Sequence, residues 1–378
     1  MSQFFSRAVF GLLIAIASLD CAAFEPYSLQ SSSRAASMAG VFSAQADDSS
    51  AIWYNPAGLK RKESIASEIS IDYAQQVNRE VIKATTTTEE TSQYGEGKND
   101  IRFAAGYIDR LPFLTNSNDR WGTGIAYFTL NQLNIDIDTP QSPITTDTFG
   151  LVETINRQLS WLMSVSLTSN LSLGGTVDFV WTDVECLEFS PCVDNPPTGW
   201  GGSVGILYDL VNNESFKAKI GGTWRSRADV AYDSTPSSGI GTVLEAYLPD
   251  RPESYNLGLN LQFPASWAFI NVNFMAETVL WSKAAGKEQP LADYTNWGTS
   301  TEFIITLPAS SSIALRAGYR QSNSNEINTL PDFQIIAAGI GYFFYKHHSI
   351  DLGYEYRDAD FTNSNTSSTL SISYSLQY

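Results

Sequence analysis

The sequence predicts an all-β chain: a 14-stranded antiparallel transmembrane β-barrel of the bacterial outer membrane, with an N-terminal plug in its lumen. Three observations carry that expectation. Apolar and polar residues alternate with a period of two along most of the chain, which gives each strand two chemically different faces. The connections between these segments alternate between short and long. No apolar run beyond the N-terminus is long enough to cross a bilayer as a helix.

Composition narrows the classes first. The 378 residues carry 40 acidic and 23 basic side chains, a formal charge of −17. That balance argues against nucleic acid as a partner, because affinity for phosphate backbones comes mainly from Lys and Arg. A hydrophobic fraction of 43% is too high for a disordered acidic segment. Mean hydropathy of −0.14 argues against a helical membrane protein. Charged residues are sparse at 17% and aromatics stand at 12%, a balance that suits strands with one face toward lipid.

At the N-terminus, Arg7 precedes the apolar run Ala8–Leu19 and a cluster of small residues, the pattern of a secretory signal peptide over residues 1–23. Cleavage after Ala23 leaves Phe24 first. A lipid anchor on Cys21 is the rival reading, disfavoured by Asp20 directly before it. Export leaves Cys186 and Cys192, six residues apart, as an expected loop disulfide. A metal site is not expected, since the only histidines, His347 and His348, are adjacent and remote in sequence. No cofactor is expected either.

Residues 24–61 precede the first strand and would be surplus in a plain barrel. Small residues, the apolar Met38, Val41, Phe42, Ile52, Trp53 and Tyr54, and the turn chemistry of Asn55, Pro56, Ala57 and Gly58 predict a folded plug. The alternative is a disordered leader. Residues 62–378 form the expected barrel.

Fourteen strand segments follow, at about 63–74, 100–110, 121–137, 153–167, 171–184, 199–211, 215–230, 254–263, 267–281, 297–307, 311–321, 333–345, 348–358 and 368–378. The last is the cleanest, with Leu370, Ile372, Tyr374, Leu376 and Tyr378 alternating with serines, Thr369 and Gln377. Short links near 169–170, 212–214, 264–266, 308–310 and 346–347 alternate with long ones near 75–99, 138–152, 185–198, 231–253, 282–296, 322–332 and 359–367, the one untidy member being the mid-sized link Leu111–Arg120. A soluble sandwich has no reason to place its long loops on every second connection. An outer-membrane barrel does, with short periplasmic turns and long extracellular loops. Trp121, Trp200, Trp267 and Trp297 fall near strand ends, where an interfacial girdle belongs.

Catalytic readings are weak. Gly201-Gly202-Ser203-Val204-Gly205 matches the serine-hydrolase pattern, which works only on a sharp strand-to-helix turn. Here it lies inside an alternating strand, so Ser203 is read as a small lumen-facing residue. An outer-membrane phospholipase is the enzymatic alternative and a structural or adhesive barrel the third class. Neither has a positive feature.

Several runs resemble the FadL-type outer-membrane transporters of long-chain fatty acids, which have toluene-type hydrocarbon channels as relatives. They are Ser31–Gly40, Ala46-Asp47-Asp48 through Tyr54-Asn55-Pro56-Ala57, Gly199-Trp200-Gly201, and Gly221-Gly222-Thr223-Trp224-Arg225-Ser226. Leu248-Pro249-Asp250, Tyr255–Gly258, Trp281-Ser282, Leu330-Pro331-Asp332 and Ala338–Tyr342 extend the resemblance over nearly the whole mature chain. It implies a 14-stranded barrel with an N-terminal hatch and passive uptake of hydrophobic molecules. Long-chain fatty acids are the first expectation and aromatic or other hydrocarbons the alternative. It further implies capture among the outer loops, passage beside the hatch, and sideways release through a kink in the third strand. Here that strand is Trp121–Ile137, and Gly122, Gly124 and Asn131 are the candidate kink residues. Phe24, Leu244, Tyr247 and Leu248 are the candidate ligand contacts. Outer-membrane lipid and lipopolysaccharide are the expected surroundings of a monomer. No single ligand-binding Arg or Lys is matched to the family.

Overall fold

The computed structural model describes residues 32–61, 67–77, 79–85, 90–94, 99–108, 121–139, 148–186, 196–230, 250–284, 293–308, 310–324, 333–344, 347–359 and 365–377. Two four-residue helices open it, α1 (Ser33–Ala36) and α2 (Ala51–Tyr54), followed by a 3-10 turn over Pro56–Arg61. The strands are β1 (Ser67–Val77), β2 (Arg79–Thr85), β3 (Glu90–Tyr94), β4 (Asn99–Ile108), β5 (Trp121–Thr139), β6 (Thr148–Ser166), β7 (Leu171–Cys186) and β8 (Thr198–Asn212). They continue with β9 (Lys217–Arg225), β10 (Glu253–Pro264), β11 (Ala268–Leu280), β12 (Tyr294–Leu307), β13 (Ser311–Ser324), β14 (Phe333–Phe344), β15 (His348–Ala359) and β16 (Asn365–Gln377).

All sixteen belong to one sheet. From β4 to β16 each strand pairs antiparallel with its neighbour in sequence, and β1 lies between β4 and β16. Hairpin pairing of this kind satisfies the backbone groups locally, which a lipid-facing sheet requires. The exception is the hairpin β2–β3, within residues expected to form a long connection. Its strand β2 lies parallel to the far end of β5, pairing Val81–Thr85 with Asn134–Asp138. Its sequence is rich in Thr, Glu and Lys and lacks the apolar phase by which the other strands are recognised.

The two faces of the sheet differ as the alternation requires. One is bare and apolar: Ile69, Ile125, Trp161, Val177, Ile206, Leu257, Ile336 and Leu370 are all exposed. The other is covered and largely polar: Asn260, Asn273, Ser300, Glu302, Arg316, Asp351 and Glu355 are all buried. In β8 the alternation runs without a break from Ser203 to Leu210. This is the inverse of a water-soluble sheet, where buried charge is rare and a continuous apolar exterior is a liability. Trp121, Trp200, Trp267 and Trp297 all lie on the bare face, toward strand ends.

Residues 32–61 cover the polar face. They follow the wall strand by strand, and the wall answers with glycine. Gly353 of β15 meets Ser33, Gly339 of β14 meets Ser37, and Gly318 of β13 meets Met38. Gly298 meets Val41, Gly258 meets Ala44, Gly205 meets Asn55 and Gly174 of β7 meets Pro56. A side chain at Gly174 or Gly318 would overlap a backbone carbonyl of the covering segment. With Gly221, which meets Asn55 and Ser43, these glycines make three cross-strand pairs, Gly174 with Gly205, Gly221 with Gly258, and Gly339 with Gly353. The segment turns after α1 through Ala39 and Gly40, both at positive φ, where the amide of Gly40 donates to the carbonyl of Ala35 (2.9 Å).

One expected strand is shorter than its pattern. The alternation through 215–230 predicts a strand to Val230, but β9 ends at Arg225. Residues 226–230 turn across the covered face instead, where Ala228 bridges Arg251 and both Ala228 and Val230 are buried. Their apolar side chains find more contact inside than a strand extension would give them.

Replacing Gly174 with Val is expected to lower resistance to urea unfolding by about 1–3 kcal/mol, the range for an overpacked interior. Gly222→Ala adds a Cβ no nearer than 3.6 Å to any neighbour and should leave the unfolding midpoint unchanged. Urea titration followed by heat-modifiable gel mobility compares the two.

Candidate functional site

The strand ends nearest the long connections are the loop end of the sheet, and those nearest the short turns the turn end. At the loop end, against Trp53 of the N-terminal segment, lies a cavity. Its walls come from α2 and from the loop ends of β9 to β14. Trp53, Trp281, Tyr294 and Phe333 supply aromatic surface, and Arg225, Arg251, Arg320 and Glu277 supply charge.

Trp53 is held edge-on to Phe128 of β5 (5.8 Å between ring centroids). Arg225, the last residue of β9, lies flat over the Trp53 ring with its guanidinium carbon 3.7 Å from the centroid. It also donates a hydrogen bond to the Trp53 carbonyl. Arg251 is fixed differently. Its Nη1 donates to Asp178 (2.6 Å) and Gln158 (2.8 Å), and Ser160 donates to the second oxygen of Asp178 (2.7 Å). Tyr294 and Phe333 pack with centroids 5.9 Å apart, and Glu277 accepts from Asn296 (3.0 Å).

Two apolar clusters on the otherwise polar covered face flank this cavity. One joins Phe128, Leu130, Leu162, Val180 and Val230 to Phe42, Ile52, Tyr54 and Leu59 of the N-terminal segment. The other joins Trp281, Tyr294, Phe333, Ile335 and Ala39. The first lies against β5, and β5 is where the ladder is irregular. Its pairing with β6 shifts register between Thr129 and Asn131. On the other side its last pair with β4 is Phe103–Tyr127, and pairing resumes only at Asn134, with β2. Phe128, Thr129 and Leu130 are all buried, so strict alternation is lost there. Gly122 and Gly124 are buried at the turn end of the same strand, and Asn131 stands at the register shift.

The covering segment is tied down by charge as well as by shape. Arg34 of α1 reaches Glu302 of β12 through two contacts, at 3.0 and 2.9 Å, and holds Asp47 (2.6 Å) and Asp48 (2.9 Å) of its own segment. Arg316 of β13 bridges Glu302 (2.8 Å) and Asp351 of β15 (2.6 Å). Asn55 donates to the carbonyls of Ser43 (3.0 Å) and Ile206 (3.1 Å) and accepts from the amide of Ala57 (3.1 Å). Pro56 packs on Gly174 and Gly205, and a Cβ at Gly58 would overlap the carbonyl of Ala46. Asn55, Pro56, Ala57 and Gly58 therefore seat the segment and do not line the cavity.

Phe24, Leu244, Tyr247, Leu248 and Cys192 lie outside the described residues, and Cys186 ends β7. Ser203 is buried, hydrogen-bonded with Thr176 (2.8 Å), and has no His beside it among the described residues. His348 stacks on Phe344 with centroids 5.1 Å apart and bonds the Tyr374 hydroxyl (2.7 Å), at the turn end. Among the described residues no group of three His, Cys, Asp or Glu is placed to hold a metal ion. Sequence reasoning missed Trp53, Arg225, Tyr294, Arg320 and Phe333 as cavity residues. The one available signal was Arg225 and Arg320 standing on the polar phase of their strands.

No protein-family model matches the chain, and no curated protein matches it in sequence. Solved structures do match. A TodX monoaromatic hydrocarbon channel, a deltaS2 mutant, superposes with a TM-score of 0.63 at 15% identity, over 93% of this chain and 100% of that one. The Ralstonia pickettii toluene transporter TbuX gives 0.57 at 13%, over 95% and 99%. A Pseudomonas aeruginosa FadL homologue gives 0.55 at 14%, over 93% and 99%. The chain has their fold. The FadL-type barrel accounts for the single antiparallel sheet and for coverage of nearly the full length of each.

Two outcomes are expected from these contacts. Arg316→Met leaves buried carboxylates short of a cation and should destabilise the protein by about 3–5 kcal/mol in urea titration. Residues 226–230 with Asp250 and Arg251 form a strap on the covered face, where Asp250 accepts from the amide of Val230 (2.7 Å). Burial pushes its carboxyl from 3.8 up to about 6, against the opposing pull of that hydrogen bond and of Arg227. The folded strap thus favours the protonated acid, so its stability is highest below about pH 4 and falls as pH rises to about 6. Amide exchange at Val230, corrected for intrinsic rate, should follow that course, and Asp250→Asn should flatten it.

Proposed function

We propose that this chain is an outer-membrane channel for passive uptake of hydrophobic small molecules. In this reading β1 and β4 to β16 close as a 14-stranded barrel and residues 32–61 are its hatch. The loop end faces outward, among outer-membrane lipid and lipopolysaccharide. The observation that carries the proposal is the placement of the interior apolar surface. A lumen that is otherwise polar turns apolar in two places, on either side of one cavity, and one of them abuts the interrupted pairing of β5. A water-filled pore would have no use for that arrangement, whereas a dry path for an apolar solute needs it.

The route runs from the loop-end cavity, past Trp53 and Phe128, to the side of the barrel between Tyr127 and Asn134. Gly122, Gly124 and Asn131 belong to the strand whose departure from the wall makes that exit. The unpaired stretch of β5 is tolerable because protein covers it inside. Loop residues Leu244, Tyr247 and Leu248 and a Cys186–Cys192 disulfide remain the proposed outer capture surface.

Of the two ligand classes expected from the sequence, aromatic compounds have the better support. The matched channels are described as monoaromatic hydrocarbon or toluene channels, and the cavity walls here include four aromatic rings. The fatty-acid reading rests on the sequence resemblance.

Uptake of labelled toluene by a deletion strain should rise several-fold when the gene is restored, and Leu130→Asp in the restored copy should abolish the gain. Equal entry with and without the gene, for toluene and for a long-chain fatty acid alike, would sink the proposal.

A further inference from the structure

The loop-end cavity carries a feature that a carrier of neutral hydrocarbon does not need. Four of the five buried arginines, Arg34, Arg251, Arg316 and Arg357, each have a carboxylate partner at 2.6–3.1 Å. The half-buried Arg225 does not. Among the described residues it makes no ion pair. Its guanidinium is held by the Trp53 ring and by one hydrogen bond to the Trp53 carbonyl. A guanidinium has five N–H donors in a planar fork, so most of its donors remain for something else. Holding such a cation at the wall of an aromatic cavity costs desolvation, which a directly bound anion would offset further than the more distant Asp178 and Glu277 do.

We infer that the cavity selects an aromatic monocarboxylate over a neutral hydrocarbon of the same shape, an inference that rests on the uptake function proposed above. The carboxylate lies against Arg225, where two parallel N–H···O bonds are available in the geometry that guanidinium and carboxylate share. The ring lies toward Tyr294 and Phe333, whose centroids are 5.9 Å apart. Glu277, held by Asn296 at 3.0 Å, disfavours a second negative charge on the ligand and fixes which end enters first. The body is compact because the remaining lining is polar. Ser254 and Ser322 would face an extended alkyl chain without a hydrogen-bonding partner on it.

The test uses the purified full-length protein in lipid nanodiscs at pH 7.5, with calorimetric titration of 4-ethylbenzoate, 4-ethyltoluene and decanoate. The expected result is affinity for 4-ethylbenzoate about 10-fold or more above the other two. Arg225→Met should bring 4-ethylbenzoate down to the level of 4-ethyltoluene, and Arg225→Lys should keep part of the preference. Heat-modifiable mobility of both variants reports whether the barrel is folded, and the lysine variant carries the test if the methionine variant is not. Equal or tighter binding of 4-ethyltoluene to the wild type overturns this inference and leaves uptake of hydrophobic molecules standing. Decanoate binding as tightly as 4-ethylbenzoate overturns the aromatic preference. Binding of none of the three overturns both.

Discussion

Glu302 accepts from two guanidiniums, Arg34 of the N-terminal segment and Arg316 of the neighbouring strand, in a place with no exposure to solvent. Much of the interior depends on that arrangement. A carboxylate buried in the middle of a sheet is tolerable only when opposite charge and hydrogen bonds surround it. Gln45 and Asn271 also donate to it, and Arg316 passes the chain of charge on to Asp351. Residues of β11, β12, β13, β15 and the covering segment therefore form one network. Losing any member leaves others buried without partners.

The charge network fixes where the segment sits, and glycine decides how close it comes. Because the wall strands carry glycine along a track from β15 to β7, missing only at β11, the backbone of residues 33–56 lies directly on them. This closeness brings Trp53 against Phe128 and under Arg225, and so builds the inner wall of the cavity. The polar half of the interior anchors. The apolar surface is gathered in two clusters, one against β5 to β7 and the other around Trp281, Tyr294 and Phe333, beside the strands that carry the charge network.

The strand pattern was legible because it is local. A period of two in ten to fifteen residues reports both faces of a strand without reference to any partner, and the expected segments agree with β1 and β4 to β16 to within a few residues. The exceptions have physical reasons. The hairpin β2–β3 lacks an apolar phase, and residues 226–230 have one but spend it inside. The site was less legible. Trp53 and Arg225 are 172 positions apart, and the cation–aromatic contact between them depends on the segment's seat against the wall. Nothing in either local sequence specifies that meeting. The glycines were visible individually, yet their common purpose appears only when eight strands are laid side by side.

By itself the sequence determined that this chain forms long two-faced strands joined by alternating short and long connections, preceded by a segment rich in small and apolar residues. Those are properties of neighbouring residues, and backbone geometry converts them directly into strands with one apolar face. Tertiary structure alone decided which polar-phase residues meet. It placed Arg34 and Arg316 on Glu302, left Arg225 over Trp53 with no ion pair among the described residues, and set Trp53 of the cavity wall against Phe128 of β5. Each is a contact between distant parts of the chain, and its energy exists only once the sheet has curved and the segment has docked.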